Sequence, residues 1–170
     1  RYLTLMAHCG RGFNLMYLPF MLEVLAWNPA KVADINTLEK VQRRAFRLIT
    51  DKGKVDYETK LKFAGMTTLE SRRERGDLLE VFKIVNDMSV LDKKDFFEFV
   101  RDRHSVETRQ FIANLLVPEK SQLNVRKNFF SCRVVNQWNA LPEWVRGATS
   151  VNDFKNKYDD FIYVMEDNSD

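Results

Sequence analysis

The apolar residues of this 170-residue chain recur mainly at helical spacing from residue 34 onward. Intervals of three and four residues place apolar side chains along one face of an amphipathic helix. Several of these segments also begin at a residue that can cap a helix, or end at glycine or proline. The pattern predicts a mainly α fold: an irregular bundle of five or more helices, with a partly irregular connector and at most a small strand pair.

The first clear helix begins near Asp34, which is placed to cap its N-terminus. Its predicted apolar face consists of Ile35, Leu38, Val41, Ala45 and Leu48. The opposite face carries cations at positions i, i+3, i+4 and i+7, which we call the basic row: Lys40, Arg43, Arg44 and Arg47. Such a row suits a polyanion, although a solvated basic surface without a partner is equally compatible with the charge.

Two further helices are predicted between residues 56 and 86. Asp56 caps a short one, Tyr57 to Ala64, which Gly65 ends. Thr67 and Glu70 form a capping-box pattern that opens a long one at about residue 68. The predicted core positions of the long helix are Leu69, Leu78, Leu79, Phe82 and Val85.

Three arginines lie near the start of the long helix: Arg72, Arg73 and Arg75. Positive charge there opposes the helix dipole by about 0.3–1 kcal/mol per residue, which is weak evidence for a binding function. The alternative is structural. Long arginine stems cover apolar surface, and their charges pair with Glu70, Glu74 or Asp77.

The C-terminal part is predicted to alternate helices with an irregular connector. Asp92 starts a short helix that brings Phe96, Phe97, Phe99 and Val100 to the core. Residues 101–122 lack a sustained period, and residues 111–117 are compatible with a strand. A helix from Val125 to Ala140 ends at Pro142. Ser150 and Asp153 are a capping pair for the last helix, whose apolar face carries Val151, Phe154, Tyr158, Phe161 and Ile162.

The segment from Leu123 to Pro142 interleaves basic and aromatic residues. Phe129, Phe130 and Trp138 can stack on exposed bases, but aromatic residues at helical spacing more often belong to a core. We therefore expect Trp138 to anchor the core. The basic residues of the segment are the better candidates for nucleic-acid contacts: Arg126, Lys127 and Arg133.

Composition narrows the class of protein. With 45% hydrophobic residues the chain can bury a core of its own, and its formal charge is +3. The charge is uneven, because the residues from Gly147 onward hold 2 basic and 6 acidic side chains. The 2 cysteines lie far apart, so neither a disulfide framework nor a zinc cluster is indicated. No signal peptide or apolar run of membrane-spanning length is present, so we expect an intracellular protein, nuclear or cytoplasmic, with no membrane partner.

Candidate catalytic groups are few. His8 and Cys9 are sequence neighbours whose side chains point apart, so a dyad is not expected. Arg133 beside Cys132 would lower the pKa of that thiol, yet a half-buried structural cysteine is the favoured interpretation. The segment from Gly10 to Gly12 is too short for a phosphate loop. We expect no metal or other cofactor in this chain.

Four separated motifs carry a family resemblance: LEKVQRRAFRLI (38–49), YETKLKFAGMTTLESRRERGDLLEVFKIVN (57–86), LNVRKNFFSCRVVNQWNALP (123–142) and SVNDFKNKYDDFI (150–162). In order and spacing they resemble the region downstream of the polymerase palm in reverse transcriptases of LINE-type, non-LTR retrotransposons of the jockey-like group. The resemblance covers about Trp27 to Ile162. The chain also begins without methionine, so we expect it to be a piece of a longer reading frame.

The resemblance implies a thumb and helical connector of an RNA-directed DNA polymerase. Its metal-binding carboxylates, which hold Mg²⁺ in the parent polymerase, would lie upstream. Tyr158-Asp159-Asp160 imitates the family's Tyr-x-Asp-Asp signature, but it sits on a predicted helix, so we expect a solvated helix face there. The implied partners are an RNA/DNA template–primer duplex and the upstream polymerase domain, with no small-molecule substrate. The implied nucleic-acid-binding residues are Lys40, Arg43, Arg44, Arg47, Arg72, Arg73, Arg126, Lys127 and Arg133.

The same reasoning divides the chain into regions. Residues 1–30 form an apolar segment expected to pack on the upstream palm, residues 31–90 a thumb-like basic region, and residues 91–170 the connector, which should form one compact unit with 31–90. The predicted function is a non-catalytic segment that positions template–primer through basic helices. The alternative is a co-opted or degraded helical module that binds another protein and no nucleic acid.

Overall fold

The structure is a computed structural model that describes residues 29, 31–49, 55–103 and 114–167. These residues form helices without a β-sheet, which confirms the predicted mainly α fold. In chain order the helices are α1 (Val32–Ile49), α2 (Tyr57–Phe63), α3 (Leu69–Val85), α4 (Lys93–Phe96), α5 (Val100–Arg103), α6 (Asn124–Lys127), α7 (Phe130–Ala140), α8 (Glu143–Arg146) and α9 (Val151–Asp167).

The described residues cluster into two compact units, and the chain passes from one to the other between Gly76 and Asp77. This point lies inside α3 rather than at residue 90, where the sequence suggested a change of region. The first unit contains α1, α2 and the first part of α3. The second contains the rest of α3 and the helices from α4 to α9. The predicted segment 1–30 lies outside the described residues apart from Pro29.

Helix α1 packs with a different face from the one its apolar residues predicted. Val41 is 66% exposed and Ala45 is also exposed, whereas Phe46 is buried. The polar residue Glu39 is buried as well. Asp34 lies in the first turn of the helix and not at its cap, because the helix begins at Val32. The predicted apolar face is therefore wrong at Val41 and Ala45.

Helix α2 begins at Tyr57 as predicted and ends at Phe63, one residue before the predicted end at Ala64. The Asp56 carboxylate accepts hydrogen bonds from the Thr59 backbone N–H at 3.0 Å and from its hydroxyl at 2.6 Å. Gly65 follows the helix with φ +60, a conformation that costs other residues strain. The Met66 N–H then donates to the Leu61 carbonyl at 2.9 Å. Such a bond satisfies one of the carbonyls that a helix C-terminus leaves unpaired.

Helix α3 begins one residue later than the predicted capping box. The hydroxyl of Thr68, not Thr67, accepts from the Ser71 backbone N–H at 3.1 Å. The carboxylate of Glu39 accepts from the Leu69 N–H at 3.1 Å, so a residue of α1 satisfies another free N–H of this helix. The capping box of Thr67 with Glu70 is therefore wrong: Thr67 contributes its carbonyl to other contacts.

The core of the second unit is built on α3, α7 and α9. Phe82 stacks on Phe154 with ring centroids 4.6 Å apart, and Phe154 lies next to Trp138 at 6.1 Å. All three side chains are essentially inaccessible to solvent. Leu78 and Val85 are buried as predicted, and α3 adds two residues the sequence reasoning omitted: Val81 and Ile84.

A short backbone bridge pairs two segments that flank the connector. Phe99 and Leu116 form an isolated antiparallel bridge, with the Val100 N–H donating to Leu115 at 3.0 Å and the Val117 N–H to Glu98 at 2.8 Å. Asp92 caps α4 by accepting from the Lys94 N–H at 2.9 Å, as predicted. Of the suggested strand 111–117, residues 111–113 lie outside the described part of the chain.

The helix predicted from Val125 to Ala140 is divided in two. Helix α6 ends at Lys127, and Phe129 is extended with φ −68 and ψ 144 before α7 begins. Asn128 donates from its side-chain amide to the Asn124 carbonyl at 2.9 Å, a local bond that competes with helix continuation. The prediction of one continuous helix is therefore wrong.

The last helix has the predicted cap. The Ser150 hydroxyl accepts from the Asp153 N–H at 3.1 Å, and the Asp153 carboxylate accepts from the Thr149 N–H at 2.9 Å. Phe154 and Tyr158 of α9 are buried. Phe161 and Ile162 are only half-buried, so the apolar face of this helix is less covered toward its C-terminal end.

Candidate nucleic-acid interface

The four side chains of the basic row lie together on the exposed side of α1. Lys40, Arg43, Arg44 and Arg47 are all exposed, and with the described part of the chain they make no hydrogen bond or ion pair. Over seven residues an α-helix rises about 10 Å. The row thus presents four exposed cations over about that length, and none of them pairs with an acidic side chain of the described residues.

Tyr57 on α2 packs against the face of α1 that borders the basic row. Its hydroxyl donates to Glu39 Oε1 at 2.5 Å and accepts from Gln42 Nε2 at 2.8 Å. Its ring meets Phe46 edge-on, with centroids 6.2 Å apart, and lies beneath the guanidinium of Arg43 at 4.7 Å. A single side chain therefore contacts positions i, i+3, i+4 and i+7 of α1.

The electrostatics of this contact favour the neutral phenol. Burial of Tyr57, followed by its hydrogen bond to the carboxylate of Glu39, raises the pKa of the phenol to about 12. The second oxygen of Glu39 accepts from the Leu69 N–H at the N-terminus of α3, where the helix dipole favours a negative charge. Glu39 and Tyr57 thus connect α1 to both α2 and α3.

The two predicted arginines of α3 differ in their surroundings. Arg72 is exposed, and its guanidinium donates to the Gln42 side-chain carbonyl and to the Thr67 carbonyl, the latter at 3.2 Å. Arg73 is half-buried, and its Nε and Nη2 atoms are buried without an acceptor in the described residues. The structure therefore links Arg72 to α1 through Gln42, and it gives Arg73 no such link.

The remaining predicted cations belong to the second unit, where two of them are engaged within the chain. Arg126 binds Glu119 at 2.7 Å and lies 5.4 Å from the ring centroid of Phe129. Arg133 forms two hydrogen bonds with Asp77 and a third with the Asn128 carbonyl at 3.0 Å. Lys127 is exposed. The ion pairs give Arg126 and Arg133 a clear structural role.

Trp138 lies in the core, as the sequence indicated. It is fully buried, and its indole N–H donates to the Asn114 carbonyl at 2.8 Å. Phe130 is buried and Phe129 half-buried.

Burial, together with the charge of Glu119, raises the pKa of the Cys132 thiol. Cys132 is half-buried, and the pKa of its thiol moves in the opposite direction to the shift that a neighbouring arginine alone would produce. His8, Cys9 and residues 10–12 lie outside the described residues.

The described residues give little support to a polymerase carboxylate site, a metal site or a membrane span. Asp159 and Asp160 are exposed on helix α9, not in a hairpin. Among the described residues no three His, Cys, Asp or Glu side chains are grouped closely enough to hold a metal ion. None of the described helices combines the length and hydrophobicity that a membrane span requires.

No protein-family model, curated protein or solved structure matches the chain. Function is therefore inferred from the basic row, from the contacts that hold it and from the four sequence motifs.

Sequence reasoning missed the residues that support the row. Glu39, Gln42 and Tyr57 are polar side chains that ordinary periodicity assigns to solvent. The signal that identifies them is the second face of α1, where Glu39, Gln42 and Phe46 recur at helical spacing. A polar face of that kind needs a hydrogen-bonding partner, and Tyr57 is that partner.

Proposed function

We propose that the chain binds the phosphate backbone of a template–primer duplex through the basic row, as the thumb and connector segment of a LINE-type reverse transcriptase. The observation that carries the proposal is the exposure of all four cations of the row, with no ion pair to the described residues. The order of the four sequence motifs supports the family assignment.

The proposed role of the chain is to hold the duplex in position. Cations that contact phosphates release condensed counterions, so binding is independent of base sequence and strongly dependent on salt. Tyr57 and Glu39 hold α1 against α2 and α3, and a fixed helix keeps its charges in register with a fixed row of phosphates. The chain would hold the duplex while the upstream polymerase domain supplies the carboxylates that bind Mg²⁺.

Binding at several salt concentrations tests the proposal. The chain should bind an RNA–DNA hybrid and DNA duplexes of unrelated sequence about equally. The triple variant Arg43→Gln, Arg44→Gln, Arg47→Gln should lower the slope of log affinity against log salt by about two to three. The variant should lose at most about 1 kcal/mol of stability, because these side chains are exposed and form no hydrogen bond or ion pair with the described residues, and the contact that is lost is that of Arg43 with the Tyr57 ring.

A matched control removes three charges elsewhere in the same unit: Lys31→Gln, Lys60→Gln, Lys62→Gln. It changes the net charge equally and leaves the row intact, so the salt slope should change by less than in the row variant. Equal losses in the two triple variants would mean that only net charge matters, and the row would not be the interface.

The second candidate is a helical protein-interaction module. Phe63 at the end of α2 favours it, because this large apolar side chain is 85% exposed. Exposed aromatic residues are enriched at protein interfaces. Failure of the unmodified chain to bind any nucleic acid at low salt would leave this candidate as the better one.

A further inference from the structure

Arg43 differs from the other members of the basic row in having a fixed support. Its guanidinium carbon lies 4.7 Å from the centroid of the Tyr57 ring, whereas the described chain offers Lys40, Arg44 and Arg47 no such contact. A guanidinium stacked on an aromatic face keeps its N–H donors at the edge of the stack. These donors have no acceptor in the described residues.

The ring beneath Arg43 is itself held in place. Its hydroxyl is bonded on both sides, to Glu39 at 2.5 Å and to Gln42 at 2.8 Å. The edge of Phe46 packs against the same ring at an interplanar angle of 82°. Three residues of α1 thus fix the phenol that supports the fourth, Arg43.

A planar guanidinium binds phosphate oxygens through paired N–H groups, which a lysine ammonium does not reproduce. A side chain that is already ordered also loses less conformational freedom on binding. For one long side chain this advantage corresponds to about a 2- to 10-fold gain in affinity. Arg43 has both the paired N–H groups of a guanidinium and a ring beneath it that holds the group in place. Among the described residues no ring supports Lys40, Arg44 or Arg47.

We propose that Arg43 is the principal phosphate-binding residue of the basic row and that Tyr57 is its positioning residue. The ligand group is a phosphodiester, held by two N–H groups of one guanidinium. The inference rests on the proposed function and divides the roles within the basic row. Arg43 contributes directed hydrogen bonds, and the other three residues contribute charge: Lys40, Arg44 and Arg47.

Charge-conserving substitutions separate these roles. Arg43→Lys and Arg44→Lys both keep the net charge, so the salt slope should stay the same in each. Arg43→Lys should weaken binding to a DNA duplex by about 5-fold, whereas Arg44→Lys should change it by less than about 2-fold. The unmodified chain, measured in parallel, reports on the proposed function separately.

Two substitutions at position 57 test the positioning role. Tyr57→Phe keeps the ring but loses its bonds to Glu39 and Gln42. It should therefore weaken binding less than Tyr57→Leu, which removes the ring and should weaken binding about as much as Arg43→Lys. In the double variant Tyr57→Leu, Arg43→Lys the losses should not add, because both changes remove the same stacked arrangement. A merely structural role for Tyr57 would give additive losses.

A measurement on the free protein gives a result even where Tyr57→Leu folds poorly. In the nuclear magnetic resonance spectrum, the Nε–H group of Arg43 should carry a ring-current shift that Arg44 lacks. Equal binding losses for Arg43→Lys and Arg44→Lys in a chain that binds DNA would overturn the inference and leave the proposed function standing. A chain that binds no DNA would overturn both, and an Arg43 resonance like that of Arg44 would overturn the role of Tyr57.

Discussion

Arg133 on α7 binds Asp77 on α3 at two points, with Nε to Oδ2 at 3.0 Å and Nη2 to Oδ1 at 2.9 Å. The side chains are only 16% and 4% exposed, respectively. The guanidinium also lies 5.7 Å from the ring centroid of Phe130. The pair therefore joins two helices of the second unit from inside the protein.

Removing one partner of this ion pair should be more harmful than removing both. Arg133→Met removes the guanidinium that binds the buried Asp77 carboxylate at two points, and we expect a loss of about 3–5 kcal/mol in the free energy of unfolding. The double variant Asp77→Leu, Arg133→Met should recover much of that loss, because it leaves no buried charge. Urea denaturation of both variants measures the difference. A double variant that is less stable than Arg133→Met would contradict the expectation.

Trp138→Ala should destabilise the second unit by about 3–5 kcal/mol. The substitution removes a fully buried ring that lies next to Phe154 and donates a hydrogen bond to Asn114. Trp138→Phe keeps an aromatic ring, so it should lose less. Urea denaturation measures both losses. A Trp138→Ala variant with unchanged stability and reduced nucleic-acid affinity would mean that this ring stacks on bases.

Much of the fold follows from local sequence signals. Asp56, Asp92 and Ser150 each begin a helix as predicted, because a capping side chain bonds to an N–H only two or three residues away. The break at Asn128 was missed because helical spacing runs through it. The end of α6 is marked by a hydrogen bond from the side-chain amide of Asn128 to the Asn124 carbonyl.

The residues that support the basic row could not be predicted from the sequence, because they meet through contacts between distant parts of the chain. The exposed basic row was predictable, since four cations on one helix face seldom turn inward. Its support was not, because Tyr57 is 18 residues from Glu39 and 15 from Gln42 along the chain. The buried face of α1 is partly polar, and its hydrogen-bond partners come from α2 and from the start of α3.

Two glycines should respond oppositely to substitution by alanine. Gly76 lies inside α3, and an added Cβ would meet no atom within 4 Å, so Gly76→Ala should stabilise the protein by about 0.5–1 kcal/mol. Gly65 has φ +60, and Gly65→Ala should destabilise it by about 1–2 kcal/mol. Thermal denaturation of both variants checks the signs. A loss of stability in Gly76→Ala would reveal a need for glycine in α3.

The hydrogen bonds of Tyr57 should make the protein sensitive to alkaline pH. The pKa of the folded phenol is about 12, raised from an ordinary value of 10.0 by burial and by Glu39. A pKa raised on folding contributes stability that is complete below the unfolded pKa and is lost as the pH rises through the folded pKa. Between about pH 10 and pH 12 this contribution should therefore disappear.

Tyr57→Phe isolates that contribution from the other groups that titrate at high pH. The variant lacks the hydroxyl and its bonds to Glu39 and Gln42, so it should be less stable than the unmodified chain at neutral pH. The difference in the free energy of unfolding should narrow as the pH rises above 10, since ionised Tyr57 can no longer donate to the carboxylate. Urea denaturation across this range, with ultraviolet titration of tyrosinate, follows both quantities. A difference that stays constant with pH would mean that the bond from Tyr57 to Glu39 does not set the stability of this contact.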